Sequence, residues 1–113
     1  MSNVEEAAVA LQRALLTCIG PGAAEAIALA QARLAWQETI SAAGLDRLGM
    51  SSRLLRVRNG TAEVDASESI LGQELTLRAE GLLASANARM RDRPGAHLVL
   101  HRLVVSTRRG PSP

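Results

Sequence analysis

Arginine is the residue of this chain best suited to chemistry with a partner, and it comes in three clusters. These are Arg53, Arg56 and Arg58; Arg89, Arg91 and Arg93; and Arg108 with Arg109. All thirteen basic residues are arginine, and lysine is absent. A guanidinium presents a planar fork of donors that matches phosphate oxygens two at a time, so clusters of this kind suit a polyanion. The formal charge is only +2, but it is unevenly spread. Residues 1–52 hold three arginines against five acids, net −2, and residues 53–113 hold ten against six, net +4. A basic surface is therefore expected on the hairpin half of the chain, with a polyanion as its usual partner. The single aromatic residue is Trp36, so the stacking platform used by sheet-type single-strand binders is missing. Binding should be directed at the phosphate backbone of single- or double-stranded DNA, salt-sensitive and weak in sequence preference. Trp36 falls on an apolar helical stripe, which suits the core. As a residue type favoured at binding hot spots, it is also the candidate contact to a protein partner.

Catalytic patterns are poorly represented. There is no glycine-rich phosphate loop and no lysine to serve one. His97 and His101 lie four apart, and along a strand that spacing puts their Cα atoms about 13 Å apart, too far to share a metal. The acids mostly stand beside arginines, as solvated surface pairs do. Cys18 is the one cysteine, so neither an internal disulfide nor a paired-cysteine metal site is available. No catalytic residue, metal, cofactor or small-molecule substrate is expected. No apolar run approaches the ~20 residues that span a bilayer, and the start of the chain is acidic rather than basic, so no membrane association and a cytoplasmic location are expected.

The elements that would position the arginines read clearly in the middle of the chain. Asn59-Gly60 supplies the two positive φ values of a two-residue hairpin turn. Counting outward pairs Arg58 with Thr61, Val57 with Ala62, Arg56 with Glu63 and Leu55 with Val64. That places Leu55, Val57, Ala62, Val64 and Ala66 on a dry face, and Arg56, Arg58, Glu63 and Asp65 on a wet one. Helical spacing predicts a helix over 4–19 ended by Gly20-Pro21, and a second over 23–43 with Leu29, Ala32, Trp36, Ile40 and Ala43 as its stripe. Gly44 and Gly49 mark the connection to the hairpin, with Leu45, Leu48 and Met50 tucked beneath it. After the hairpin, Ser67 or Ser69 is the expected cap of a helix whose stripe is Leu71, Leu75, Ala79, Leu82, Ala86 and Met90, with a break around Ala79–Gly81. Residues 97–106 read as a last strand of ambiguous register, because Leu98 and Leu100 favour one phase and Leu103 and Val105 the other. A bulge or burial on both faces would reconcile them. The fold class is α+β, in the order ααββα(α)β, with helices on one face of a three-stranded sheet. A single domain over 1–106 is followed by a flexible basic tail over 107–113. If the last strand joins the open edge of the hairpin, it lies beside the first strand and parallel to it.

These pieces resemble a known family. Trp36-Gln-Glu-Thr-Ile40, the Asn59-Gly60 hairpin, Ser67-Glu-Ser-Ile-Leu71-Gly-Gln-Glu-Leu75 and the Leu82-Leu83…Asn87 stretch are similar to the DciA family, bacterial proteins associated with the replicative helicase DnaB. The resemblance runs from about Leu11 to Val105. It implies a KH-like fold of the second type, binding to a DnaB-type helicase to assist its loading, and binding of DNA without nucleotide hydrolysis. The chain departs from the family pattern at Ser41, where Gly is usual, and at Leu71, where Trp is common. The Gly-x-x-Gly clamp of KH domains is absent, since Gly72 and Gly81 are nine apart. Two other readings compete with this one: a structural or dimerising protein-interaction module, and a generic nucleic-acid-binding KH-like domain with no helicase role.

Overall fold

The computed structural model describes residues 22–107. The helix expected over 4–19, Cys18 and the arginines at 108 and 109 lie outside the described residues. Helix α1 (Gly22–Ala42) leads through a single turn of tighter helix (Arg47–Gly49) into strands β1 (Ser52–Arg58) and β2 (Thr61–Ala66). Helices α2 (Ser69–Leu77) and α3 (Ala79–Arg91) follow, and β3 (Arg102–Thr107) closes the order. The result is an α+β fold: three helices and a three-stranded mixed sheet, β1 antiparallel to β2 and β2 parallel to β3.

Alanine dominates the buried side of α1, where Ala23, Ala28, Ala32 and Ala35 accompany Trp36, Thr39 and Ile40. Alanine is the strongest helix former, and its small side chain lets the helix axis approach the sheet. The helix ends in a Schellman motif. Gly44 takes φ +71°, its N–H donates to the Ser41 carbonyl at 3.0 Å, and the Leu45 N–H donates to the Ile40 carbonyl at 3.0 Å. Leu45 thereby folds back into the same core cluster as Ile40. Leu48 does the opposite of what its apolar side chain predicts. Its backbone sits at φ 57°, and its side chain, 97% exposed, points away from the core rather than under the hairpin. Met50 is half-buried.

The hairpin turns at Asn59 (φ 49°) and Gly60 (φ 78°) as its dipeptide demands. Three of the four expected pairs form: Arg58 with Thr61, Val57 with Ala62 and Arg56 with Glu63. The fourth does not. A bulge at Leu55 shifts the register so that Leu54 stands opposite Val64. Leu54 is therefore the buried residue, and Leu55 is only partly covered. Two apolar residues in a row cannot share one face of a regular strand, and the bulge accommodates both. Asp65, expected in water, is buried: it accepts from the Arg53 backbone N–H at 3.0 Å and pairs with its guanidinium at 3.4 Å.

The last strand lies beside β2, not beside β1, and runs parallel to β2. The edge of β1 is already taken by α1. Gln37 donates to the Ser52 carbonyl at 2.7 Å, and Arg33 donates to the Leu54 and Leu55 carbonyls at 3.0 Å each. These side chains cover the row of backbone acceptors that another strand would have used. β3 is also shorter than expected, beginning at Arg102. Ahead of it, Leu100 is drawn into the core by Asn87 of α3. The Asn87 side chain donates to the Leu100 carbonyl and accepts from the Leu100 N–H, both at 2.8 Å. The carboxamide thus plays the part of a neighbouring strand, and the chain changes phase between Leu100 and Leu103 outside the sheet. Neither a bulge nor double-sided burial is needed.

The helix break falls at Arg78 (φ −101°, ψ 12°), just ahead of the expected 79–81. Breaking there lets Leu75 and Leu82 both face the core. Glu68 rather than Ser67 or Ser69 precedes the first turn of α2, and the Ser67 hydroxyl accepts instead from the Ser51 N–H at 2.8 Å. Gly81 is left as an ordinary residue early in α3, with nothing within 4 Å of the position its Cβ would occupy. Gly81→Ala is accordingly expected to stabilise the protein by about 0.5 kcal/mol, read as a higher urea midpoint at unchanged slope.

Candidate nucleic-acid interface

The three helices among the described residues pack on one face of the sheet, and none of them packs on the other. Leu54, Ala62, Val64 and Ala66 point inward against Ala32, Trp36, Ile40, Leu71, Leu75, Leu82 and Met90. Strand alternation then fixes the outward residues, and the pairing register puts them in three rows. Arg58, Thr61 and Arg102 form the row nearest the hairpin turn; Arg56, Glu63 and Val104 the next; Arg53, Asp65 and Ser106 the third. Four arginines face two acids across this surface.

Their partners differ in kind. Arg56 Nε lies 3.0 Å from one oxygen of Glu63 and Arg58 Nε 3.6 Å from the other, so one carboxylate spans two guanidiniums. Both arginines remain more than half exposed. Arg53 pairs with the buried Asp65 but keeps most of its own surface in water. Arg102 is exposed and has no ion-pair partner among the described residues. Sequence inspection missed Arg102, because its row depends on the pairing of β3 with β2, which the ambiguous 97–106 register concealed.

The second arginine cluster is divided in the structure. Arg93 is structural: it donates to Gln31 Oε1 at 3.1 Å and forms a close ion pair with Glu38, tying the end of α3 to α1. Arg89 is half-buried, with its Nε covered and unpaired among the described residues, whereas Arg91 is exposed. Two clefts connect Arg91 to the hairpin. One, of about 590 Å³, is lined by Glu25, Arg56, Arg58, Asn59, His97 and Leu98; the other, of about 210 Å³, includes Arg91 and shares His97 and Leu98 with it. Arg56, Arg58 and Arg91 thus border adjoining clefts that meet at the 97–98 segment.

Trp36 is fully buried, and its indole N–H donates to the Ser52 hydroxyl at 3.0 Å, so it offers no surface to a partner. The two histidines lie outside the sheet. His97 is exposed, and the ring of His101 rests on the turn, where a Cβ on Gly60 would come within 2.6 Å of it. The His101 N–H donates to the Gly60 carbonyl at 2.7 Å. Among the described residues no group of three or more His, Cys, Asp or Glu side chains could hold a metal ion. No helix among them is long and apolar enough to cross a membrane. Comparison with models of known protein families, with curated proteins and with solved structures finds no match to this chain.

Proposed function

We propose that this protein is a non-enzymatic, cytoplasmic DNA-binding adaptor with a KH-like arrangement of its α+β elements, acting on DNA through the outer face of its sheet, opposite the three helices. The observation that carries this reading is the arrangement of Arg53, Arg56, Arg58 and Arg102 on that face, with Glu63 and Asp65 as its acids among the described residues. Guanidiniums held by strand backbones at fixed spacing suit phosphate contacts, and the absence of aromatic side chains there leaves the bases unread. The order helix, hairpin, two helices, strand supports the KH-like reading, and the residues that resemble the DciA family support a DnaB-type replicative helicase as protein partner and help in its loading as the role. Apolar side chains at the end of the sheet away from Asn59-Gly60 offer that partner a surface. Leu77 is 80% exposed, Ile70 65%, and Leu48 stands fully out in its loop.

A titration of labelled single-stranded and duplex DNA at two salt concentrations tests the DNA part. Binding at low salt that weakens steeply with added salt is expected, and no binding at low salt would sink the reading. Capture of a DnaB-type helicase by the intact chain tests the partner. A structural or dimerising module is the second reading. It is favoured by a groove of about 600 Å³ between α2 and β3, bordered by Gly72, Thr76, Leu77, Val105 and Thr107, and it predicts self-association with no response to DNA.

A further inference from the structure

The carboxylate of Glu63 sits where a phosphate would sit. It stands on the central strand, directly opposite Arg56 and diagonal to Arg58, and gives one oxygen to each guanidinium at 3.0 and 3.6 Å. The two free oxygens of a phosphodiester would make the same bridge. No other side-chain or backbone partner holds Glu63 among the described residues. The contrast with Asp65 is physical. Asp65 is buried and also takes a backbone N–H of β1, so its bond to Arg53 belongs to the fold. Glu63 holds only the tips of two arginines that are half in water, and ion pairs of that kind yield readily.

We propose that Glu63 is a built-in competitor for the polyanion: it orders and occupies the Arg56–Arg58 pair in the free protein and gives way when a phosphate docks. This rests on the outer sheet face being the DNA surface. Arrangement and occupancy pull in opposite directions. The carboxylate preorganises the two guanidiniums, but it also cancels one of their charges and must be displaced before both can face phosphate. Because the surface charge it neutralises is local, the second effect dominates at low ionic strength. Glu63 then keeps affinity low and the salt dependence shallower than two free guanidiniums would give.

The test compares labelled single-stranded and duplex oligonucleotides binding to the full chain, to Glu63→Gln and to Glu80→Gln. Glu80 is an exposed acid of α3, so its replacement makes the same change in net charge away from the sheet face. Glu63→Gln is expected to bind about ten-fold more tightly at low salt, with a log K against log salt slope steeper by about one, while Glu80→Gln changes affinity by less than about three-fold. Glu63→Thr, which suits a central strand, should repeat the gain, and a thermal melt of each variant establishes that it is folded. If the parent binds and Glu63→Gln binds no better than Glu80→Gln, the competitor role fails while the DNA surface stands. If the parent chain shows no binding at low salt, the DNA surface and the competitor role fall together.

Discussion

Reversing Arg56 and Arg58 together to glutamate is expected to lower DNA affinity at low salt by about 100-fold, enough to abolish binding at moderate salt. Each substitution removes a guanidinium that can contact phosphate and places a carboxylate in the field of the backbone. The change also sets two new acids against Glu63 on the neighbouring strand, which destabilises the hairpin by up to about 1 kcal/mol per facing pair. The glutamine pair, Arg56→Gln with Arg58→Gln, separates binding from folding, since it leaves Glu63 unopposed but not repelled. It should lose about ten-fold in affinity, and its salt slope should fall by about two, one for each phosphate contact removed. Arg78→Gln serves as the comparison. Arg78 pairs with Glu74 one helical turn away at the α2–α3 break, away from the sheet face, and its loss should change affinity by less than two-fold. Equal binding by the parent and the glutamine pair would move the interface off the sheet, with Arg91 the next arginine to test.

How much of this surface was legible in the sequence follows from what each signal depends on. The turn, the Arg56–Glu63 pair and the dry face around Val57, Ala62 and Val64 are set by residues within a few positions of Asn59-Gly60, so counting from the turn finds them. The count fails beyond Arg56 because Leu54 and Leu55 compete for one inward position, and only the packing of α1 decides between them. Arg33 and Gln37, which bind the bulge and the start of β1, lie some twenty residues away and carry no local sign of that role. The phase of the last strand was unreadable for a similar reason. Leu98, Leu100, Leu103 and Val105 fit no single alternation, and the reset is made by Asn87, a polar residue on a helix that locally reads as solvent-facing. Placing β3 beside β2 rather than β1 depended on the same long-range bonds, because α1 had already closed the β1 edge. The arginine clusters were therefore visible as composition. Which of them share a face was not, and Arg93 left the candidate surface only once its bonds to Gln31 and Glu38 were known.

Trp36→Ala is expected to be the most damaging single change to the fold, at about 4 kcal/mol. The side chain is the largest in the core, fully buried among alanines and aliphatic residues that cannot collapse into the space it would leave. Its loss would also leave the buried Ser52 hydroxyl without the indole donor. Set against a typical 5–15 kcal/mol for a domain of this kind, that removes a large share of total stability and should lower the melting temperature by 15 °C or more. Trp36→Phe keeps most of the volume and drops only the N–H, so about 1–2 kcal/mol is expected. If the hydrogen bond rather than volume sets that cost, adding Ser52→Ala to Trp36→Phe should cost less than the two changes summed. The parent chain has no other aromatic residue, so its tryptophan emission reports on this site alone and should be blue-shifted in the folded state. The variants lack that probe, and their denaturation must be followed by far-ultraviolet circular dichroism. A buried, structural Trp36 further requires that folded Trp36→Phe bind DNA and any helicase partner as the parent does. A selective loss of partner binding in a variant that melts normally would return Trp36 to the interface, against its burial and its bond to Ser52.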